Sequence, residues 1–317
     1  MTTSRRLFMA QASVVAGVVI LKKHFVPVNL AVNPGESTFV SDNTLIIYHT
    51  NNLNGRIEPD YQNPGGFDRI GLQLKNEKNP GLLLDAGSFL NTGHSFSQQK
   101  NTVALMNAIG YKAAAVGGLD FSGDGERMAA LIPQMQFSLV NCNHRFSAGL
   151  KSLIKPYRVF KAKGLKIGVT GVCLPLNGAK YIDAIECANR TARFLKEDER
   201  CNLVICFSDL GFGNGENELS DQKLAATSEH IDLVIGTDRG KFNNNDRVLR
   251  NKLKHEVVFS AAVGKGLTIG KTVIDFNDEK RKHSMIVEHI IPGKPENQSF
   301  AVALRELRSI DPSAILS

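Results

Sequence analysis

The chain has 317 residues, 42% of them hydrophobic and 22% charged, which is enough apolar material for a substantial core and excludes a low-complexity or repeat protein. Its formal net charge of +7 is uneven: Arg5, Arg6, Lys22 and Lys23 lie in the first 35 residues, which hold no Asp or Glu, and the remainder carries 34 Lys and Arg against 31 Asp and Glu, or +3. So small an excess argues against a nucleic-acid polymer as partner.

The N-terminus opens with Ser4-Arg5-Arg6-Leu7-Phe8-Met9, a pattern similar to the bacterial twin-arginine signal, followed by a mildly apolar stretch from Leu7 to Leu21. That stretch is short for a membrane-spanning helix, and Gln11 and Ser13 weaken it further. Residues 1–35 therefore read as a signal or anchor segment, with an amphipathic N-terminal helix as the alternative. The export reading places the protein in the periplasm, or anchored facing it. Cleavage near Leu30-Ala31-Val32 and retention as an anchor both remain open.

Beyond the signal, short apolar runs alternate with helical patterns. Strands are expected at Leu45–His49, Gly81–Asp85, Ala113–Val116, Phe137–Asn141, Lys166–Gly171, Leu203–Phe207, Leu233–Ile235, Glu256–Ser260 and Thr268–Asp275. Helices are expected at Gly66–Asn79, Gln98–Ile109, Gly125–Ile132, Ile182–Asp198 and Asp221–Glu229, with a short one at Phe300–Arg308. Strands separated by helices imply an α/β architecture, and the strand-rich stretch from Glu256 onwards implies a mixed sheet. Ligands in such folds sit beyond the carboxyl ends of the strands.

Five motifs fall at those ends. They are His49-Thr50-Asn51-Asn52-Leu53-Asn54-Gly55-Arg56; Leu83-Leu84-Asp85-Ala86-Gly87-Ser88; Met106-Asn107-Ala108-Ile109-Gly110-Tyr111 with Val116-Gly117-Gly118-Leu119-Asp120-Phe121; Val204 to Gly211 around Ser208-Asp209-Leu210-Gly211; and Ile231-Asp232-Leu233-Val234-Ile235-Gly236-Thr237-Asp238-Arg239-Gly240. Ala261-Ala262-Val263-Gly264-Lys265-Gly266, with Ile269-Gly270, follows them. In order and spacing, from Leu45 to Phe276, these resemble the catalytic domain of the 5′-nucleotidases within the calcineurin-like metallophosphoesterases. The family motifs read His-Thr-Asn-Asp-x-His-Gly-Arg, Asp-Ala-Gly-Asp, Gly-Asn-His-Glu-Phe, Ser-His-Leu-Gly and Ile-Asp-Leu-Ile-Ile-Gly-Gly-His-x-His. The resemblance implies an α/β, metallophosphoesterase-like layered fold with mixed β-sheets flanked by helices, spanning residues 40–317 as a single domain without a C-terminal nucleotide-recognition domain. It also implies a site for two divalent metal ions that clamp a phosphate and activate water.

The seven metal positions of the family carry Asn52, Asn54, Ser88, Gly118, Asp209, Asp238 and Gly240 here, and none matches the family's residue type. Ser88 stands where the family's bridging Asp would be, and two close divalent cations repel strongly without that charge. Leu119 stands at the general-acid position, where it can neither transfer a proton nor donate to phosphate, and Asp120 occupies the acidic position behind it. The leading expectation is therefore an exported relative of the family without catalysis or cofactor, with a binding or scaffolding role. The alternative is a divergent phosphoesterase with a residual oxygen-ligand site for Mg²⁺ or Ca²⁺, built from Asp209 and Asp238 with Asn52 and Asn54. A separate polypeptide supplying the second domain of the longer relatives is a further expectation.

Other residues read as structural. His49 lies outside the seven positions and is expected to be a hydrogen-bonding residue at a strand end; His94 and His144, near turns, could approach the pocket but more often pack or face solvent. His283 and His289 have no partner motif. Cys142, Cys173, Cys187, Cys201 and Cys206 include no C-x-x-C pair and read as structural thiols, with a Cys187–Cys201 bridge left open. No nucleophile elbow or phosphate-binding P-loop occurs.

Overall fold

Strands that read as unbroken apolar runs need cover on both faces, and two stacked sheets with helices outside supply it. The computed structural model describes residues 43–57, 65–121, 125–211, 213, 218–237 and 246–293. The expected signal segment and the helix at Phe300–Arg308 lie outside them.

The first half contains β1 (Thr44–Thr50), α1 (Phe67–Asn76), β2 (Leu82–Asp85), α2 (Phe96–Ile109), β3 (Ala113–Ala115), α3 (Glu126–Leu131), β4 (Ser138–Val140), β5 (His144–Arg145), α4 (Ala148–Lys151) and β6 (Ile154–Lys155). Then come β7 (Tyr157–Ala162), β8 (Leu165–Cys173), β9 (Lys180–Tyr181), α5 (Ala184–Glu197), β10 (Leu203–Asp209), α6 (Asp221–Thr227), β11 (Leu233–Gly236), β12 (Arg247–Arg250), β13 (Glu256–Ser260), β14 (Ile269–Phe276) and β15 (Lys282–Ile290). One sheet has seven strands in the order β15-β14-β1-β2-β3-β4-β6; the other has six, β12-β13-β11-β10-β8-β7; β5 and β9 form a small ribbon.

Strand alternation decides which residues meet. Leu45 and Ile47 of β1 and Leu203, Ile205 and Phe207 of β10 point between the sheets, where they pack with Leu84, Ala113, Val169, Ile235 and Ile274. Ile46 and Tyr48 face the layer of α1, α2 and α3, whereas Val204 and Cys206 face α5 and α6. The result is four layers, helix–sheet–sheet–helix. β1, β2, β3, β4 and β6 run parallel, as do β8, β10, β11 and β13, while β14, β15, β12 and β7 pair antiparallel. Both sheets are mixed, as the strand-rich later part implied.

All nine expected strands and the five expected helices of the described residues are present. Ends move where local chemistry overrides pattern. α2 begins at Phe96 rather than Gln98, because Ser95 caps it through a reciprocal box with Gln98. α1 stops at Asn76. The five thiols are free, Cys187 and Cys201 included, and all but Cys142 are buried. Among the described residues no helix is long and apolar enough to cross a membrane.

Candidate functional site

The carboxyl ends of the parallel strands in both sheets meet at one edge of the molecule, and four of the five motifs lie there within the described residues. Backbone hydrogen bonds tie the β1 turn to the β2 turn: Asn52 N–H donates to Gly87 O at 3.0 Å, Asn54 N–H to Ser88 O at 3.0 Å and Gly55 N–H to Phe89 O at 2.8 Å. This pairing draws three non-glycine residues into the left-handed region, Asn52 at φ 50°, Asn54 at φ 53° and Ser88 at φ 57°. Asn tolerates that conformation; Ser does so at a cost of about 1 kcal/mol. All three occupy metal positions of the family pattern.

Asp120, expected behind the vacant acid position, is a fastener for the loops. It is buried, and its carboxylate accepts from Ser88 N–H at 2.7 Å, Leu90 N–H at 2.7 Å and Gly117 N–H at 2.8 Å. Burial pushes its carboxyl well above the ordinary carboxylate range, against the pull of those three donors. Asp85 does similar work one strand over, accepting from Thr50 Oγ1 at 2.6 Å and Gly87 N–H at 2.8 Å. Burial lifts it to about 7, with the Thr50 and Gly87 hydrogen bonds opposing.

Asp209 ends β10 on the inter-sheet face, in step with Leu203, Ile205 and Phe207. Its Oδ2 accepts from Gly118 N–H at 2.8 Å and from Ser88 Oγ at 3.2 Å, and its Oδ1 accepts from Thr237 Oγ1 at 2.9 Å. Leu119 N–H donates to Ser88 Oγ at 3.4 Å. Packing here is close: a Cβ on Gly117 would lie 2.5 Å from Ser88 N and Oγ and 2.7 Å from Asp209 Oδ2. Behind Asp209, Asp221 accepts from Ser208 Oγ, and burial holds its carboxyl well above the ordinary range.

The structure thus brings Ser88, Gly118 and Asp209 into direct hydrogen bonding and joins Asn52 and Asn54 to them through the β2 turn. Asp238 and Gly240 lie outside the described residues. Leu119, at the general-acid position, is 41% exposed at the rim. Thr237 was not expected to take part; the signal was its own departure from the family motif, which has Gly at that place. His49 is the structural residue expected, fully buried with Nε2 3.0 Å from Ser260 Oγ. Burial, followed by the neighbouring His289, lowers it to about 3. The close approach of its ring requires Gly270, where a Cβ would lie 2.0 Å from His49 Nε2. His94 packs against the β1 turn, since a Cβ on Gly55 would meet its Nδ1 at 2.8 Å. His144 is buried, holding Leu176 N–H and Asn141 Oδ1, and burial lowers it to about 4. His289 pairs with Asp246 at 2.7 Å.

A dinuclear metal centre does not fit these donors. The bridging position offers a neutral hydroxyl that already donates to Asp209, and the glycine at 118 offers no side chain. Among the described residues no three His, Cys, Asp or Glu stand where they could share a metal ion.

Comparison with known proteins places the fold. No family model matches the chain. It is 27% identical over 221 residues to a 5′-nucleotidase of Vibrio cholerae serotype O1, covering 61% of this chain and 39% of that one. It is 23% identical over 280 residues to the trifunctional nucleotide phosphoesterase protein YfkN of Bacillus subtilis, covering 74% of this chain and 18% of that one. The chain therefore spans less than half the length of these relatives. Among solved structures, a 5′-nucleotidase precursor from Thermus thermophilus superposes with a TM-score of 0.67 at 22% identity, over 86% of this chain and 59% of that one. The calcineurin-like phosphoesterase YfkN from Bacillus subtilis gives 0.60 at 18% identity, over 86% and 99%. The described residues therefore form a calcineurin-like metallophosphoesterase fold. Within that class they make a 5′-nucleotidase-like domain, in keeping with the motif order along the chain.

Proposed function

We propose that this is an exported, non-hydrolysing member of the 5′-nucleotidase-like group, whose strand-end surface serves binding or scaffolding. The observation that supports this reading is Ser88: at the bridging position it presents a hydroxyl engaged with Asp209 at 3.2 Å. Hydrolysis in this fold depends on a metal pair held by a charged bridge, and a neutral hydroxyl supplies no bridging charge. Leu119 adds to it, since an exposed isobutyl group at the proton-donating position has no acid–base chemistry. The test is turnover of nucleoside monophosphates and p-nitrophenyl phosphate by purified protein with Mg²⁺, Mn²⁺, Zn²⁺ or Ca²⁺. The expected result is no hydrolysis above the metal-only blank. Metal-dependent turnover lost in Ser88→Ala or Asp209→Ala overturns the reading.

Export rests on the paired Arg5 and Arg6, the apolar stretch after them and the acid-free flank. A reporter that crosses only when folded, fused after residue 35, is expected in the periplasm with the native segment and in the cytoplasm with Arg5→Lys and Arg6→Lys together. Equal export of both fusions would remove the twin-arginine element of the proposal.

A further inference from the structure

We infer that Asp209 performs the structural task of the missing metal pair, acting as a carboxylate tie that holds the strand-end loops of the two sheets together. The inference rests on the reading of a vacated site given above. A metal bound between two sheets does two things: it supplies charge for chemistry, and it holds together the loops that bear its ligands. The first task has no heir among these residues. The second does.

Asp209 belongs to the six-stranded sheet, and Gly118 and Ser88 follow β3 and β2 of the seven-stranded sheet. The hydrogen bonds at 2.8 and 3.2 Å on Oδ2 therefore cross from one sheet to the other, while the bond at 2.9 Å on Oδ1 reaches Thr237, just past β11. One side chain thus joins the ends of four strands. Asp209 is 4% exposed, so its hydrogen bonds act where water does not compete. The surroundings are shaped to this carboxylate: Gly117 lets the β3 loop approach it, since a Cβ at 117 would lie only 2.7 Å from Oδ2. Thr237 supplies a hydroxyl where the family motif has Gly. Two departures from the motif, at 209 and 237, therefore meet in one hydrogen bond, which is the pattern expected of a replacement connection rather than of independent loss.

The experiment is amide hydrogen exchange on the full chain, wild type and variants, with EDTA and with added Mn²⁺ or Zn²⁺. Wild-type exchange around residues 86–90, 116–120 and 235–237 is expected to be the same in all three conditions. Asp209→Ala is expected to speed exchange of the Gly118 N–H by roughly tenfold to a hundredfold, the scale of a lost hydrogen bond to a charged group, and to loosen residues 235–237 as well. Thr237→Val, which removes the hydroxyl on Oδ1 at nearly the same side-chain size, is read if the alanine variant does not fold; it is expected to loosen residues 235–237 and spare the Gly118 N–H. Unchanged exchange at both loops in the variant that folds overturns the tie, as does wild-type exchange that slows at these loops when metal is added. Phosphatase turnover by the wild type with the exchange results intact would sink the non-hydrolysing reading and leave the tie standing.

Discussion

At the scale of single residues, the site edge is organised by carboxyl groups set into a buried frame, each with a distinct set of donors. Asp120 gathers three N–H groups and Asp85 gathers Thr50 and Gly87, while Asp209 reaches across the sheets. Burial has a testable consequence at Asp85, whose carboxyl it lifts to about 7 from the ordinary value near 4. A carboxyl raised in the folded state stabilises fully below its unfolded value, and that stability is lost as pH rises through its folded value. Asp85 therefore makes the protein less stable between about pH 4 and pH 7, by about 4 kcal/mol if the whole shift is expressed. In Asp85→Asn that decline should vanish, so that urea denaturation shows the variant gaining on the wild type as pH rises over this window. A constant difference across the window would place the titrating group elsewhere.

At the scale of elements, the helices outside the sheets are fixed by local signals as much as by packing. The Ser95–Gln98 box starts α2, and Ser95→Ala is expected to cost about 1 kcal/mol in thermal or urea unfolding without change in the site, because the cap lies on the exposed side of the turn. A loss several times larger would mean that the loop from residue 90 to 95 depends on this cap for its own shape. The strands legible in the sequence were those buried on both faces, such as Leu203–Asp209 and Leu233–Gly236, where every position is apolar or ends in a turn residue. The strands that were not legible are edges and hairpin partners. Lys282–Ile290 mixes Lys282, Ser284 and Glu288 with Met285, Ile286 and Val287, and Tyr157–Ala162 carries the exposed Arg158 and Lys161. Half-exposed edges need charge to discourage pairing with other chains, and that charge hides them from a search for apolar runs. The candidate site was legible as positions, because Gly117, Gly87 and the strand-end turns keep their spacing. The hydrogen bond between Asp209 and Thr237 was not, since it joins residues 28 apart on neighbouring strand ends.

At the scale of the whole molecule, two mixed sheets face one another across an apolar interior and converge on one polar edge. In the 5′-nucleotidase pattern that edge is the place of metal. Here the four described ligand positions of the seven-stranded sheet are neutral: Asn52 and Asn54 sit in a left-handed, backbone-paired turn, Ser88 is a donor, and Gly118 has no side chain. The hydrogen bonds that frame the edge come from the backbone and from Asp85, Asp120 and Asp209. The most direct test is the metal content of the purified mature protein, measured by elemental analysis after equilibration with Zn²⁺ or Mn²⁺ and removal of free metal. A vacated site predicts substoichiometric metal and an unfolding midpoint that does not change with EDTA. Two tightly held ions per chain, with a midpoint that falls when they are stripped, would contradict it.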